Sequence, residues 1–234
     1  LKDKCNFLVH NYFPPPKKPF VFNLGSLNEI IAKKSLSHAK EAIDYALALG
    51  SPTYTFHAGF LIDPDVAELG KKIRPKKLYA KKEAMKTFID NVNILSDYAN
   101  EKNIDLLVEN NVLSKNNSII FSSNPLLMTD IEDSIEIMSS TPSNVNLLID
   151  LAHLKVSSQS LSFDKREFLN KANKWIRGYH LSDNNGFSDS NSAIEEKSWF
   201  WEYINKDIEF FTIEVYGLAI EQIPKQIELV NSKL

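Results

Sequence analysis

The chain has 234 residues, 27 lysines and arginines against 30 aspartates and glutamates, and 43% hydrophobic side chains. That length suits one large domain or two small ones, and the composition argues against disorder and low complexity. The single cysteine, Cys5, excludes an intrachain disulfide framework and a cysteine-only zinc site. No apolar run approaches the roughly 18 residues of a membrane helix, and a net charge of −3 supplies no general attraction to nucleic acid or anionic membrane.

Leu1 is followed at once by Lys2, Asp3 and Lys4, with no signal-peptide pattern, so the expected location is cytoplasmic. The first residues already read as the approach to a strand, and an N-terminal piece is expected to be missing from this sequence. The strand runs, in chain order, are Asn6–His10, Thr53–His57, Asp105–Glu109, Asn146–Leu151, Ile176–Leu181 and Phe210–Tyr216. They are continuously apolar rather than alternating, as in strands buried on both faces.

Helices are expected between them. Ser26-Leu-Asn-Glu29 reads as a capping box opening a helix to about Leu49, before Gly50. Ala84, Phe88, Val92, Leu95 and Ala99 recur at helical spacing and form one apolar face. Thr129-Asp-Ile-Glu132 reads as a second capping box, leading into Ile135 and Met138. The last two helices span Asp164 to Trp175 and Ala219 to Val230, with Pro224 marking the first turn of the latter.

Strand and helix in alternation mean βαβ units and a parallel sheet. No G-x-G-x-x-G or G-x-x-x-x-G-K-[ST] loop follows any strand, which removes the main support for a nucleotide-binding sheet. Two closures are possible: an open doubly wound sheet or an α/β (β/α)8 TIM barrel. A complete barrel needs about 250 residues, so a single domain over residues 1–234 lacking its first two βα units is expected.

Every strand run ends in, or runs directly into, a metal-ligand type of side chain. In order these are His10, His57, Glu109, Asp150 with His153 beyond it, His180 with Asp183 beyond it, and Glu214. In a barrel these ends converge on the face where active sites are built. One strand-end histidine is usually a plain hydrogen-bonding residue, but six strand ends of this type are not explained that way. Carboxylates and imidazoles gathered in a dry mouth call for a neutralising cation. Asp183 and Asp189 lie in a polar Asn/Ser-rich loop and also suit turn positions.

At this point the sequence resembles the xylose-isomerase-like TIM barrels, a superfamily of sugar and sugar-phosphate isomerases and epimerases, dehydratases and endonuclease IV. His10-Asn-Tyr12 with Phe22-Asn-Leu-Gly-Ser26 resembles the family's "HxPY … NLAS", and Phe56-His57-Ala-Gly59 its "VHPG". Leu107-Val-Glu109-Asn110 resembles "IEN", Ile149-Asp150-Leu-Ala-His153 "D-x-x-H", His180-Leu-Ser-Asp183 "HxxD", and Thr212-Ile-Glu214 the final "x-I-E". In the family the passage around His10 follows the third strand.

The resemblance implies that Glu109, Asp150, His180 and Glu214 bind one divalent cation: Mn, Mg, Co or Zn. Glu109 and Glu214 would be the catalytic pair of an isomerase or epimerase, transferring a proton through an enediolate of a small-molecule sugar or sugar phosphate. His10, Tyr12, His57, His153 and Asp183 are the expected substrate-binding residues. In endonuclease IV, residues matching His153, Asp189 and Asn191 share a third zinc. Here asparagine replaces the family's histidine and the neighbouring glycines are gone, which weakens a three-metal nuclease site. An AP-endonuclease-like phosphodiesterase stays as the alternative, as does a non-catalytic sugar-binding barrel. Nucleic acid is a disfavoured partner, a membrane is not expected, and a homo-oligomer would cover exposed sheet edges.

Two further stretches have bland readings. Lys71–Lys86 carries eight basic residues and one acidic one, and reads as a solvated loop and helix start rather than a phosphate site. Trp199-Phe-Trp201 with Tyr203 reads as helix-to-barrel core rather than a sugar platform.

Overall fold

The protein is described by a computed structural model over residues 5–234. Six strands form one sheet: β1 (Val9–His10), β2 (Thr53–His57), β3 (Asp105–Glu109), β4 (Val145–Asp150), β5 (Ile176–Leu181) and β6 (Phe210–Ile213). Their spatial order equals their chain order and every neighbouring pair is parallel. β1 and β6 pair on one side only, so the described sheet is a six-stranded half-barrel that does not close.

Helices fill the first four crossovers, α1 (Glu29–Leu49), α2 (Lys81–Asn100), α3 (Lys115–Ile120) with α4 (Ile131–Ser139), and α5 (Leu151–Leu161) with α6 (Lys165–Ala172); the β5–β6 connection has no α-helix, and α7 (Ile223–Lys233) follows β6. None is long and apolar enough to cross a membrane. The core lies between the helices and the sheet. Ala39, Ala42, Ile43 and Ala46 of α1 are buried there, with all five residues of the α2 face read from sequence. Apolar burial of this kind stabilises by about 25 cal/mol per Å², and it fixes the sheet that carries the site.

Several boundaries differ from the sequence reading. Asn28, not Ser26, caps α1: its side chain accepts the Ile30 amide, while Ser26 donates its hydroxyl to Asp63 Oδ2 at 2.8 Å. Asp130, not Thr129, caps α4 by accepting the Asp133 amide. A long-range acceptor in the first case, and a residue better suited to capping in the second, move each start. β1 is shorter than Asn6–His10, and β6 stops at Ile213 rather than Tyr216. β4 ends at Asp150 because Asp150 is the N-cap of α5, an unexpected helix whose Ser-rich sequence carries a weak helical signal. The last helix begins at Ile223, with Pro224 in its first turn as read from the sequence.

Two ambiguous stretches take their bland roles. In the basic run, Arg74 pairs with Glu68 (2.8 Å) and Asp65, Lys76 with Glu68 (3.4 Å), and Lys81 with Asp133 (2.6 Å). Phe200 and Trp201 are core residues, with the Trp201 indole donating to Glu195 O at 2.9 Å.

Candidate functional site

Parallel register sets the site. His57 is aligned with Glu109 across β2 and β3, and Asp150 with His180 across β4 and β5. Glu214 follows the last residue of β6, its amide donating to Leu181 O at 3.0 Å. His10 ends β1, where its Nδ1 lies 2.6 Å from Thr55 Oγ1.

Glu109 is the centre. Its carboxylate is buried, with Oε2 3.4 Å from His10 Nε2 and 3.3 Å from His57 Nδ1. Oε1 lies 3.3 Å from His180 Nδ1 and 3.6 Å from His153 Nδ1. Four of the five histidines therefore surround one carboxylate. His180 Nδ1 also lies 2.7 Å from Glu214 Oε2 and 3.9 Å from Asp150 Oδ2.

Glu109, Asp150, His180 and Glu214 each offer a ligand-type atom, all within 4.8 Å of one another, and so do His10, His57 and Glu109. The decisive detail is what these atoms lack. Glu109 Oε1 and Oε2, Asp150 Oδ2 and His180 Nδ1 are all buried and make no well-aligned hydrogen bond, although His180 Nδ1 lies close to Glu214. Buried polar atoms are seldom left unpaired. Glu109, Asp150 and His180, each with such an atom, gather with Glu214 within 4.8 Å, which fits a cation, and three carboxylates with one imidazole form an oxygen-rich donor set suited to Mn²⁺, Mg²⁺, Co²⁺ or Zn²⁺.

The protonation pattern agrees. Burial pushes Asp150 up to about 7. Burial pulls His180 down, but Glu109 and Glu214 outweigh it and hold its imidazolium to about 10. Burial likewise acts against the charge on His153, which Asp150, Asp189 and Glu109 overcome, raising it well above the usual value. Glu109, disfavoured by burial, is held well below the usual range by His57, His180 and His10. Burial lowers His10 to about 4 and depresses His57 as well. Without a cation, then, the cluster balances its carboxylates with protons on His180 and His153. A divalent ion supplies the same charge while freeing His180 to act as a ligand.

The other expected residues divide. His153 joins the cluster, but its Nδ1 lies 2.9 Å from Asn110 O and its Nε2 3.2 Å from Asp189 Oδ2. Both ring nitrogens face protein acceptors, so a substrate oxygen reaches Nε2 only by replacing Asp189. Tyr12 sits in a separate aromatic group with Phe20, Phe22 and His38, and its hydroxyl accepts the Phe22 amide at 2.7 Å. Asp183 anchors its loop: Oδ1 accepts from Lys155 Nζ (2.6 Å) and the Asn184 amide (2.8 Å), and Oδ2 from Ser198 Oγ (2.9 Å).

Asn110, quoted above only as the end of the Leu107–Asn110 motif and given no role, positions the site. Its amide nitrogen donates to Asp150 O at 3.1 Å and its Oδ1 accepts the Asp150 amide at 2.8 Å, locking β4 to the end of β3. Its neighbour Asn111 donates to Ala58 O, Gly59 O and Leu127 O, each at 3.0 Å. Two asparagines directly after a strand-end glutamate were the available signal. Asp189 suits a turn position and, by the family resemblance, also matches a residue that shares a metal with His153; the structure places its Oδ2 3.2 Å from His153 Nε2.

A family model for xylose isomerase-like TIM barrels matches residues 2–210. The chain matches none of the curated proteins. Among solved structures it is similar to a D-tagatose 3-epimerase-like protein at 21% identity and a TM-score of 0.67, covering 98% of this chain and 80% of that one. It is also similar to the TTHB071 protein from Thermus thermophilus soaked with ZnCl2, at 17% identity and a TM-score of 0.63, covering 99% and 81%. A third is apo 3-keto-D-glucoside 4-epimerase, YcjR, from E. coli, at 10% identity and a TM-score of 0.63, covering 92% and 76%. At these identities the likeness establishes the fold.

Proposed function

The chain belongs to the xylose isomerase-like TIM-barrel family, and from that premise we propose that it is a metal-dependent isomerase or epimerase of a small sugar or sugar phosphate. We read its open sheet as a single-domain (β/α)8 barrel short of two βα units, which belong between β6 and β1. The observation that carries the functional reading is the set of buried atoms without a well-aligned hydrogen bond on Glu109, Asp150 and His180, joined by Glu214 within 4.8 Å. The solved epimerases with this fold support the sugar class.

Glu109, Asp150, His180 and Glu214 would hold the cation. When bound, it would polarise a carbonyl and its neighbouring hydroxyl and stabilise the charge that develops there. Glu109 and Glu214 would be the proton-transfer pair. One removes the proton from the carbon next to the carbonyl, and the other, or the same one, returns it. Burial of Glu109, Asp150 and His180 excludes water from the inner side of the site, which strengthens every charge interaction there.

The test is deuterium incorporation from D2O into a panel of ketopentoses, ketohexoses and their phosphates, with manganese-loaded protein. Deuterium is expected at the carbon adjacent to the carbonyl of at least one compound. Glu109→Gln and Glu214→Gln should each slow this by about 10²–10⁴-fold. Metal-loaded protein that labels no compound refutes the reading.

One observation favours a second reading. His10, His57 and Glu109 form an adjoining ligand group that shares Glu109 with the first, and paired metal sites suit phosphodiester cleavage. Cleavage of an abasic-site oligonucleotide by zinc-loaded protein, lost in Glu109→Gln, would select it.

A further inference from the structure

Glu214 is the least covered member of the cluster. β6 is an edge strand, and the Glu214 side chain is 28% exposed, against 8% or less for Glu109, Asp150 and His180. A carboxylate in that position keeps rotamer freedom that its buried partners have lost. Something must choose which of its oxygens faces the cluster.

The chain just beyond β6 is firmly held. The Glu214 amide donates to Leu181 O at 3.0 Å and the Tyr216 amide to Asn191 O at 2.8 Å. Asn191 is buried with φ at +42°, a left-handed conformation that asparagine adopts more readily than most residues. Gly217, at φ +72°, then turns the chain away. With its backbone pinned on both sides, Tyr216 brings its hydroxyl back to Glu214 and donates to Oε1 at 2.9 Å. Glu214 Oε2 is left 2.7 Å from His180 Nδ1. Among the described residues, the His180 ring and the Tyr216 hydroxyl are the groups that hold this carboxylate, one on each oxygen.

We infer that Tyr216 is the positioning residue for Glu214: its hydroxyl holds Oε1 on the exposed side and thereby keeps Oε2 on the cluster. The inference rests on the metal centre and proton transfer proposed above. Tyr216 acts through Glu214, and nothing in the strand-end pattern points to it. The loop that carries Asn191 gains a purpose, since its carbonyl fixes the tyrosine backbone.

The test is Tyr216→Phe, which removes only the hydroxyl of a residue that is 64% exposed and so leaves the fold intact. Cobalt(II) is titrated into metal-free wild type and variant and followed by visible absorption. The cobalt dissociation constant is expected to rise about tenfold, the usual effect of losing a partner that orients a ligand, with the thermal midpoint unchanged. In the deuterium assay kcat should fall about tenfold with little change in KM. A cobalt dissociation constant within about twofold of wild type overturns the inference. Wild type that binds cobalt yet labels no ketose refutes the epimerase reading, while the cobalt comparison still decides the role of Tyr216.

Discussion

Asp150 and His153 are joined across the first turn of α5: Asp150 Oδ1 accepts the His153 amide at 2.7 Å, and Oδ2 is left buried without a partner. One carboxylate thus does two jobs, capping a helix with one oxygen and facing the cluster with the other.

The two jobs separate by substitution. Asparagine is as good an N-cap as aspartate, so Asp150→Asn should keep the α5 cap and the fold while losing most metal affinity. Asp150→Ala should lose both, with an added cost of about 1 kcal/mol for the cap. Urea unfolding and metal titration of the two variants read these effects. Equal stability of the two variants would contradict the capping role.

The metal-free protein should lose stability as the pH rises above neutral. His180 is raised to about 10 from an ordinary value of 6.5, and His153 is raised as well. The folded state therefore holds protons that the unfolded state releases between those limits, and stability falls across that window. The stabilising contribution is complete below about 6.5 and is lost as the pH climbs through 10. Thermal midpoints of chelator-treated protein at about pH 7 and about pH 9, both inside that window, should show the drop. His180→Asn should flatten it.

Asp183 separates an anchoring role from a substrate contact. Its carboxylate takes bonds from Lys155, Ser198 and the Asn184 amide. Asp183→Ala leaves Lys155 without its carboxylate partner and should cost about 1–3 kcal/mol of stability. Metal stoichiometry and KM should stay at wild-type values. A raised KM with undiminished stability would instead make Asp183 a substrate ligand.

Much of this architecture was legible in the chain. Continuous apolar runs located all six strands, because parallel strands are buried on both faces. Ala84, Phe88, Val92, Leu95 and Ala99 gave the buried face of α2 residue by residue. The ligand-type side chains at strand ends were visible because parallel register places those ends side by side. What stayed hidden depends on partners far away in sequence. Ser26 looked like a cap until Asp63, 37 residues on, took its hydroxyl. α5 was masked by its serines, one of which, Ser157, accepts the Leu113 amide at 3.0 Å. The hydrogen bonds of Asn110 to Asp150 and of Tyr216 to Glu214 appear only when the fold brings those residues together.

The central claim is that Glu109, Asp150, His180 and Glu214 hold one divalent cation. Elemental analysis of purified protein, beside a Glu214→Gln control, tests it most directly. The account predicts one Mn, Co, Mg or Zn per chain in wild type and a marked loss in the control. Protein that binds no metal even after reconstitution, while staying folded, would contradict it.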